Sequence, residues 1–258
     1  MRAVDPRLDW SVGRDGVPYK DWNLHAREWI RDASYSGPYS PKKNIHEQAF
    51  PDAENNVGWV ATQTNNVPIH LFRYADMLLL DAEAEVELCN LDAARTIVNQ
   101  VRARAARVAQ GCGADATVRA AYATYCATKT SMTDTLRANV VTGVDSLQSG
   151  WAFYKIGLYN TPWPDQAYAR NAVRTERRLE LAMEGQRFFD LRRWGVADTA
   201  VNNYVTTEGA RITYLTGAAG QFVLPKYSFY PIPSVQVELS KVGGQCKLQQ
   251  NPEWGSCQ

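Results

Sequence analysis

Apolar residues recur at every third or fourth position between His70 and Asn90: Leu71, Ala75, Leu78, Leu79, Ala82, Val86 and Cys89. That spacing predicts an amphipathic helix over 69–89. After Asn90, which is suited to cap a helix start, Ala94, Ile97, Val98, Val101, Ala105 and Val108 form a second stripe and predict a helix over 91–108. Two helices with almost no loop between them make an antiparallel hairpin, the shape of one tetratricopeptide-like unit. The first helix is acidic and the second basic, so their flanks are expected to pair. A third helical region covers 165–194. Ala172, Glu176, Leu179 and Met183 lie on one stripe and Leu181 and Phe188 on another, which predicts an interior helix that Gly185 ends or bends. Val201, Tyr204 and Val205 mark a shorter helix near 197–208. The fold class is mainly α.

Elsewhere the periodicity fades. Residues 1–68 are punctuated by Gly, Pro and Asn and read as loop-rich. Residues 109–164 read as a loop-rich insertion with weak helical signals near 116–126 and 133–141. An aromatic loop is expected at 150–159, followed by Pro162-Trp163-Pro164. After the helical region from 165, the Tyr230-Pro231-Ile232-Pro233 stretch must be extended, because proline blocks helix and central strand alike. These regions are expected to form parts of one domain.

Composition removes several function classes. A formal net charge of +1 with interspersed signs gives no electrostatic case for nucleic acid or an anionic membrane surface. Three His and no CxxC pair argue against a zinc site, and nothing suggests a cofactor. The run Met77–Leu80 is far too short to span a bilayer, and the first residues have no apolar signal region. In an exported protein the close pairs Cys112/Cys126 and Cys246/Cys257 read as two local disulfides, with five reduced thiols as the alternative. Cys89, on the apolar stripe, is expected as a buried thiol.

Two constellations carry chemistry. Glu176 sits among apolar positions inside a dense charge run, and a buried carboxylate needs a partner. Arg73 is the expected partner, within a network of Arg73, Glu176, Arg177, Glu180, Glu184 and Arg187. Glu180 and Glu184, four apart, fit acid/base chemistry on paper. The arginines around them, and the lack of a nucleophile or metal cluster, favour a structural ion network. The second constellation is aromatic: the chain has eight Trp and thirteen Tyr. Candidate ligand contacts are Trp10, Trp22, Trp29, Tyr39, Trp59, Trp151, Tyr154 and Trp163, since such rings offer a flat apolar face with a polar tip. Asp9, Asp15 and Asp21 can hydrogen-bond ligand hydroxyls or simply face water, and the second is the expectation.

Four segments together resemble the SusD/RagB family. Arg73-Tyr74-Ala75-Asp76-Met77-Leu78-Leu79-Leu80-Asp81-Ala82-Glu83-Ala84 is similar to its R-Y-A-[ED]-x-L-L-x-x-A-E-A helix. The run from Glu176-Arg177-Arg178 through Asp190-Leu191-Arg192-Arg193-Trp194 is similar to E-R-R-x-E-L-A-x-E-G-x-R-[FW]-x-D-L-x-R-W. Tyr230-Pro231-Ile232-Pro233 with Gln250-Asn251-Pro252, and Asp5-Pro6-Arg7-Leu8, match further segments. The resemblance implies a SusD-like fold of tetratricopeptide-like helix pairs with long ligand-facing loops. It implies a non-catalytic lipoprotein on the outer surface of the outer membrane. Such a protein binds glycans or peptides and passes them to a SusC-like TonB-dependent transporter. Family members are about twice as long, so the chain is expected to be a C-terminal portion that lacks the N-terminal half and is marginal alone. A structural scaffold that binds only protein partners is the alternative. A glycosidase would need two carboxylates about 5–10 Å apart across a cleft, and the sequence offers none outside the helical network.

Overall fold

The computed structural model describes residues 4–20, 22–45, 70–106, 144–148 and 153–255. Within them, eight α-helices and three small two-stranded antiparallel sheets occur, so the fold is mainly α. The chain divides into two compact units, 1–186 and 187–258.

The first unit opens with a short α1 (Arg7–Ser11), β1 (Val12–Gly13), a 3-10 turn (Arg27–Trp29), α2 (Ala33–Ser36) and β2 (Ser40–Pro41). β1 and β2 pair through Val12↔Pro41 and Gly13↔Ser40. The helical hairpin follows as α3 (Tyr74–Glu87) and α4 (Leu91–Ala106). α3 ends before Cys89, whose φ of +63° turns the chain out of the helix. Asn90 then supplies the carbonyl for the first backbone bond of α4, from Ala94 at 3.1 Å. Cys89 is therefore on the turn and exposed as a free thiol rather than buried, and the apolar stripe stops at Val86.

β3 (Val144–Gln148) and β4 (Phe153–Gly157) form a hairpin in register from Val144↔Gly157 to Gln148↔Phe153. Part of the expected aromatic loop is thus a strand; Phe153, Tyr154 and Ile156 are residue types that favour one. The polar flank of α4 grips the chain just beyond it. Asn99 exchanges hydrogen bonds with the Tyr159 backbone (3.1 and 2.9 Å), and Arg102 Nε donates to the Gly157 carbonyl at 2.5 Å. The basic flank of α4 therefore serves this segment and the next helix rather than the acidic flank of α3.

α5 (Gln166–Glu180) starts on a cap in which Asp165 accepts from the Tyr168 N–H at 2.7 Å. It does not continue to 194. The chain leaves the helix at Leu181, Met183 takes φ +65° and Gly185 φ +79°, and a separate α6 (Gln186–Arg193) begins. Because the helix stops, Met183 and Phe188 are exposed instead of extending the two stripes. The core is made by Leu79, Ala82 and Val86 of α3, Ala94, Val98 and Val101 of α4, and Ala169, Ala172 and Val173 of α5. Small side chains on all three helices permit close backbone approach. Trp163 closes the cluster, edge-on to Tyr159 at 5.4 Å.

The second unit contains α6, α7 (Ala197–Gly209), α8 (Ser234–Leu239) and the hairpin β5–β6 (Lys241–Val242, Gln245–Cys246). A chain of rings organises it: Phe188 meets Phe222 edge-on, Phe222 stacks on Tyr227, and Tyr227 meets Trp254. Phe189 is 63% exposed and is not a core ring. The two distant halves of the Tyr-Pro-Ile-Pro and Gln-Asn-Pro motif meet here. The Gln250 side-chain amide accepts from the Ile232 N–H (2.7 Å) and donates to the Ile232 carbonyl (2.8 Å), as a neighbouring strand would. Cys246 is buried and disulfide-bonded; Cys257, Cys112 and Cys126 lie outside the described residues. No described helix is long and apolar enough to cross a membrane.

Candidate ligand cleft

The inward face of α5 changes chemistry along its length. Ala169, Ala172 and Val173 are buried near its start, and Glu176, Arg177 and Glu180 are buried near its end. Each charge is matched. Arg7 Nη1 donates to Glu176 Oε1 at 2.6 Å and to Glu180 Oε2 at 3.1 Å, while its Nε and Nη2 hold Asp5 at 3.0 and 2.8 Å. Burial works against the Arg7 charge, but the bonds to Asp5 and Glu176 outweigh it and raise the pKa above the ordinary arginine value. Arg102 Nη1 reaches Glu176 Oε2 at 2.9 Å, Arg104 bonds Glu180, and Arg177 bonds Asp76 at 2.8 Å.

Arg73 does not pair with Glu176 as the sequence suggested. It sits just before α3, level with the end of α5, and clamps Glu184 through Nε and Nη2, both at 2.8 Å. Its Nη1 reaches Glu180 Oε1 at 3.1 Å, and its Nη2 and Lys43 Nζ both donate to the Glu180 carbonyl. That carbonyl is among those a helix end leaves without an intrahelical partner, and cations there also suit the helix dipole. Arg187, expected in this network, has its guanidinium over the Trp194 ring at 5.5 Å. Burial pushes Glu184 up, but hydrogen bonds from Arg73 and Lys43 overcome this and hold its carboxyl below the ordinary range.

Residues 5–45 wrap onto this ionic end. Lys42 is fully buried, and its Nζ donates to the carbonyls of Asp9 and Pro18, both at 2.6 Å. Desolvation lowers its pKa to about 7. Asp9, expected in water, is fully buried and held by Arg14 at 2.6 and 2.8 Å. Asp15 is exposed and accepts from the Arg27 N–H at 3.1 Å, and Asp21 lies outside the described residues. His25 is buried against Ser40 Oγ at 2.9 Å.

Between this layer and the end of α5 lies a cleft of about 480 Å³. Arg7, Lys20, Lys43, Arg73 and Arg104 line it together with Glu180 and Glu184, and Trp10 forms an aromatic wall. Met183, in its left-handed conformation, also lines it. The volume falls in the roughly 300–1,000 Å³ range of small-molecule sites.

Only some of the predicted rings are near such a surface. Trp10 lines the cleft and is half-buried, as is Trp22. Trp29 is 48% and Tyr39 55% exposed; Trp29 packs edge-on against Tyr19 (5.7 Å) and His25 (5.2 Å). Tyr154 lies on β4 opposite Leu147. Trp163 is a core residue: the helix packing encloses it at 6% exposure. Trp59 and Trp151 lie outside the described residues. Sequence reading missed the cations Lys20, Lys43 and Arg104, whose only signal was the basic last turn of α4 and the Lys42-Lys43 pair.

Comparison with known proteins follows the same outline. The SusD family model matches residues 2–254. A solved SusD homologue from Bacteroides thetaiotaomicron superposes with a TM-score of 0.52 at 23% identity, over 97% of this chain and 41% of its own. The chain thus spans less than half the length of that relative. No curated protein matches. With nearly its whole length under the family model and its fold shared with a solved homologue, the chain belongs to the SusD family.

Proposed function

We propose that the chain is the ligand-holding part of a non-catalytic nutrient receptor at the outer surface of the outer membrane. The receptor binds oligosaccharides or peptides and delivers them to a SusC-like TonB-dependent transporter. One observation carries the reading: in a member of the SusD family, a cleft of ligand size with a tryptophan wall is built where a loop layer seats on a rigid helix end. Loops on a fixed base are where binding groups concentrate. The carboxylates of the cleft favour binding over hydrolysis. Glu184 is clamped by Arg73 and held below its ordinary pKa, which suits a structural anion and not a general acid, whose pKa must be raised.

A glycan and peptide array probed with the chain tests the proposal. The expected result is selective binding that free ligand of the same kind competes and that Trp10→Ala weakens. Binding to protein partners alone, indifferent to soluble oligosaccharides and peptides, points instead to a scaffold.

A further inference from the structure

We propose that the outward face of α3 is a docking seam for a partner helix, one that is amphipathic and carries a lysine or arginine in the middle of its apolar stripe.

α3 buries Leu79, Ala82 and Val86 against α4 and α5. Its opposite face is largely apolar as well. Tyr74, Met77, Ala84 and Leu88 are all exposed, the three large ones at 73%, 61% and 69%. With Asp81 they fall at steps of three, four, three and four, the a and d positions by which one helix seats on another. Leu80 broadens the stripe on one side, and Leu71 and Phe72, both exposed, add apolar surface before the N-terminal end of the helix. A helix that is apolar on two sides belongs inside a bundle, and a contiguous exposed apolar stripe marks a surface for another macromolecule. None of these residues lines the cleft, so the seam is separate from the site proposed for nutrients.

Charge decides what covers it. α3 has five acidic residues and no lysine or arginine. Asp76 and Glu87 are answered by Arg177 and Arg170. Asp81 has no ion pair among the described residues and is the middle residue of the seam. Two copies of α3 packed seam to seam would bring Asp81 onto its own copy, whether they ran parallel or antiparallel. Two carboxylates closing on each other in an apolar contact repel. An anionic membrane surface is disfavoured too, because amphipathic helices that bind one carry the basic residues that α3 lacks. A helix that sets an ammonium or guanidinium opposite Asp81 gains a charge pair and a fixed register, which is what a single polar residue at such a position specifies. The partner is therefore a different helix, with a basic centre to match the acidic one.

The test is an anisotropy titration of the chain with a labelled, hydrocarbon-stapled peptide of about three heptads. The peptide has leucine at each a and d position except for a central lysine, and a second version carries glutamate there. The expected result is that the lysine peptide binds, that the glutamate peptide binds about tenfold or more weakly, and that Asp81→Lys reverses the order. Met77→Glu, also at an exposed position, should abolish binding of the lysine peptide and leave the melting temperature unchanged. It decides the matter where Asp81→Lys fails to fold. Equal binding of the two peptides overturns the proposal, as does a preference that Asp81→Lys leaves unchanged or binding that Met77→Glu leaves intact. Sedimentation of the chain alone runs beside the titration, and a dimer that Met77→Glu dissociates assigns the seam to a second copy and overturns it. Binding of neither peptide overturns it as well. Each of these outcomes leaves the nutrient cleft to its own test.

Discussion

The two ends of α5 bury the same face with opposite chemistries. Near the start, Ala169, Ala172 and Val173 pack on apolar residues of α3 and α4. Near the end, Glu176 and Glu180 are buried against arginines from α1, α4 and the residue before α3. The apolar end tolerates any partner of suitable shape, because apolar burial is non-directional. The ionic end tolerates only partners that place donors on specific oxygens. Its closing contact, Arg7 to Glu176, joins residues 169 apart in sequence. The difference teaches where the molecule has spent its specificity: the apolar end holds the helices together, and the ionic end fixes the loop layer that frames the cleft.

Removing one side chain from each end separates them. Glu176→Ala leaves Arg7 and Arg102 facing a buried void and should cost about 3–5 kcal/mol, the loss expected when one member of a buried pair is removed. Val98→Ala, fully buried at the apolar end, should cost roughly 2 kcal/mol through lost methyl burial and the cavity left behind. Urea denaturation of both variants checks the pair. Equal, small losses would show that the ionic end is not buried as described.

A subtler contrast lies in pH. Lys42 has its folded pKa lowered to about 7 by desolvation, against 10.5 for the ordinary side chain. Between those values the unfolded chain holds a proton that the folded chain does not. Stability should therefore rise with pH above about 7, by at most about 1.4 kcal/mol per pH unit. Lys43 is shifted the same way, chiefly by burial. Lys42→Met should flatten most of the rise. Glu184 runs oppositely in acid: its pKa is depressed, so its contribution is present above the ordinary carboxylate range and is lost as pH falls through its folded value. Val98→Ala should leave both limbs of the pH profile unchanged.

The smallest effect belongs to an ion pair outside the buried network. Arg170 donates two hydrogen bonds to Glu87, at 2.7 and 2.6 Å, but both side chains are open to solvent. Exposed pairs of this kind contribute little. Arg170→Ala should leave the melting temperature within measurement error, and a large drop would mean that exposed and buried pairs are not distinguished here as argued.

The contrast also explains what could be read from sequence. The helices α3 and α4 emerge from periodicity because each buries a stripe along its own axis. The break after Glu180 was half visible in Gly185. Met183, which takes the first positive φ, carries no such mark. The buried ionic network was legible as a charge run among apolar positions, but its pairing was not. Arg7 lies far from α5 in sequence, and nothing local links it to Glu176. The aromatic candidates fared least evenly, because a tryptophan in a segment without helical periodicity reads as a loop whether it faces solvent, as Trp29 does, or the core, as Trp163 does.

The most direct test of the division between a structural ionic end and a binding cleft is a parallel measurement on Trp10→Ala and Glu176→Ala, recording ligand affinity and denaturation midpoint on the same samples. Trp10→Ala should lose about 1–3 kcal/mol of binding, by analogy with ring stacking on nucleobases, and lower the midpoint far less than Glu176→Ala does. A Trp10→Ala protein that binds as before, or that unfolds as readily as Glu176→Ala, would contradict it.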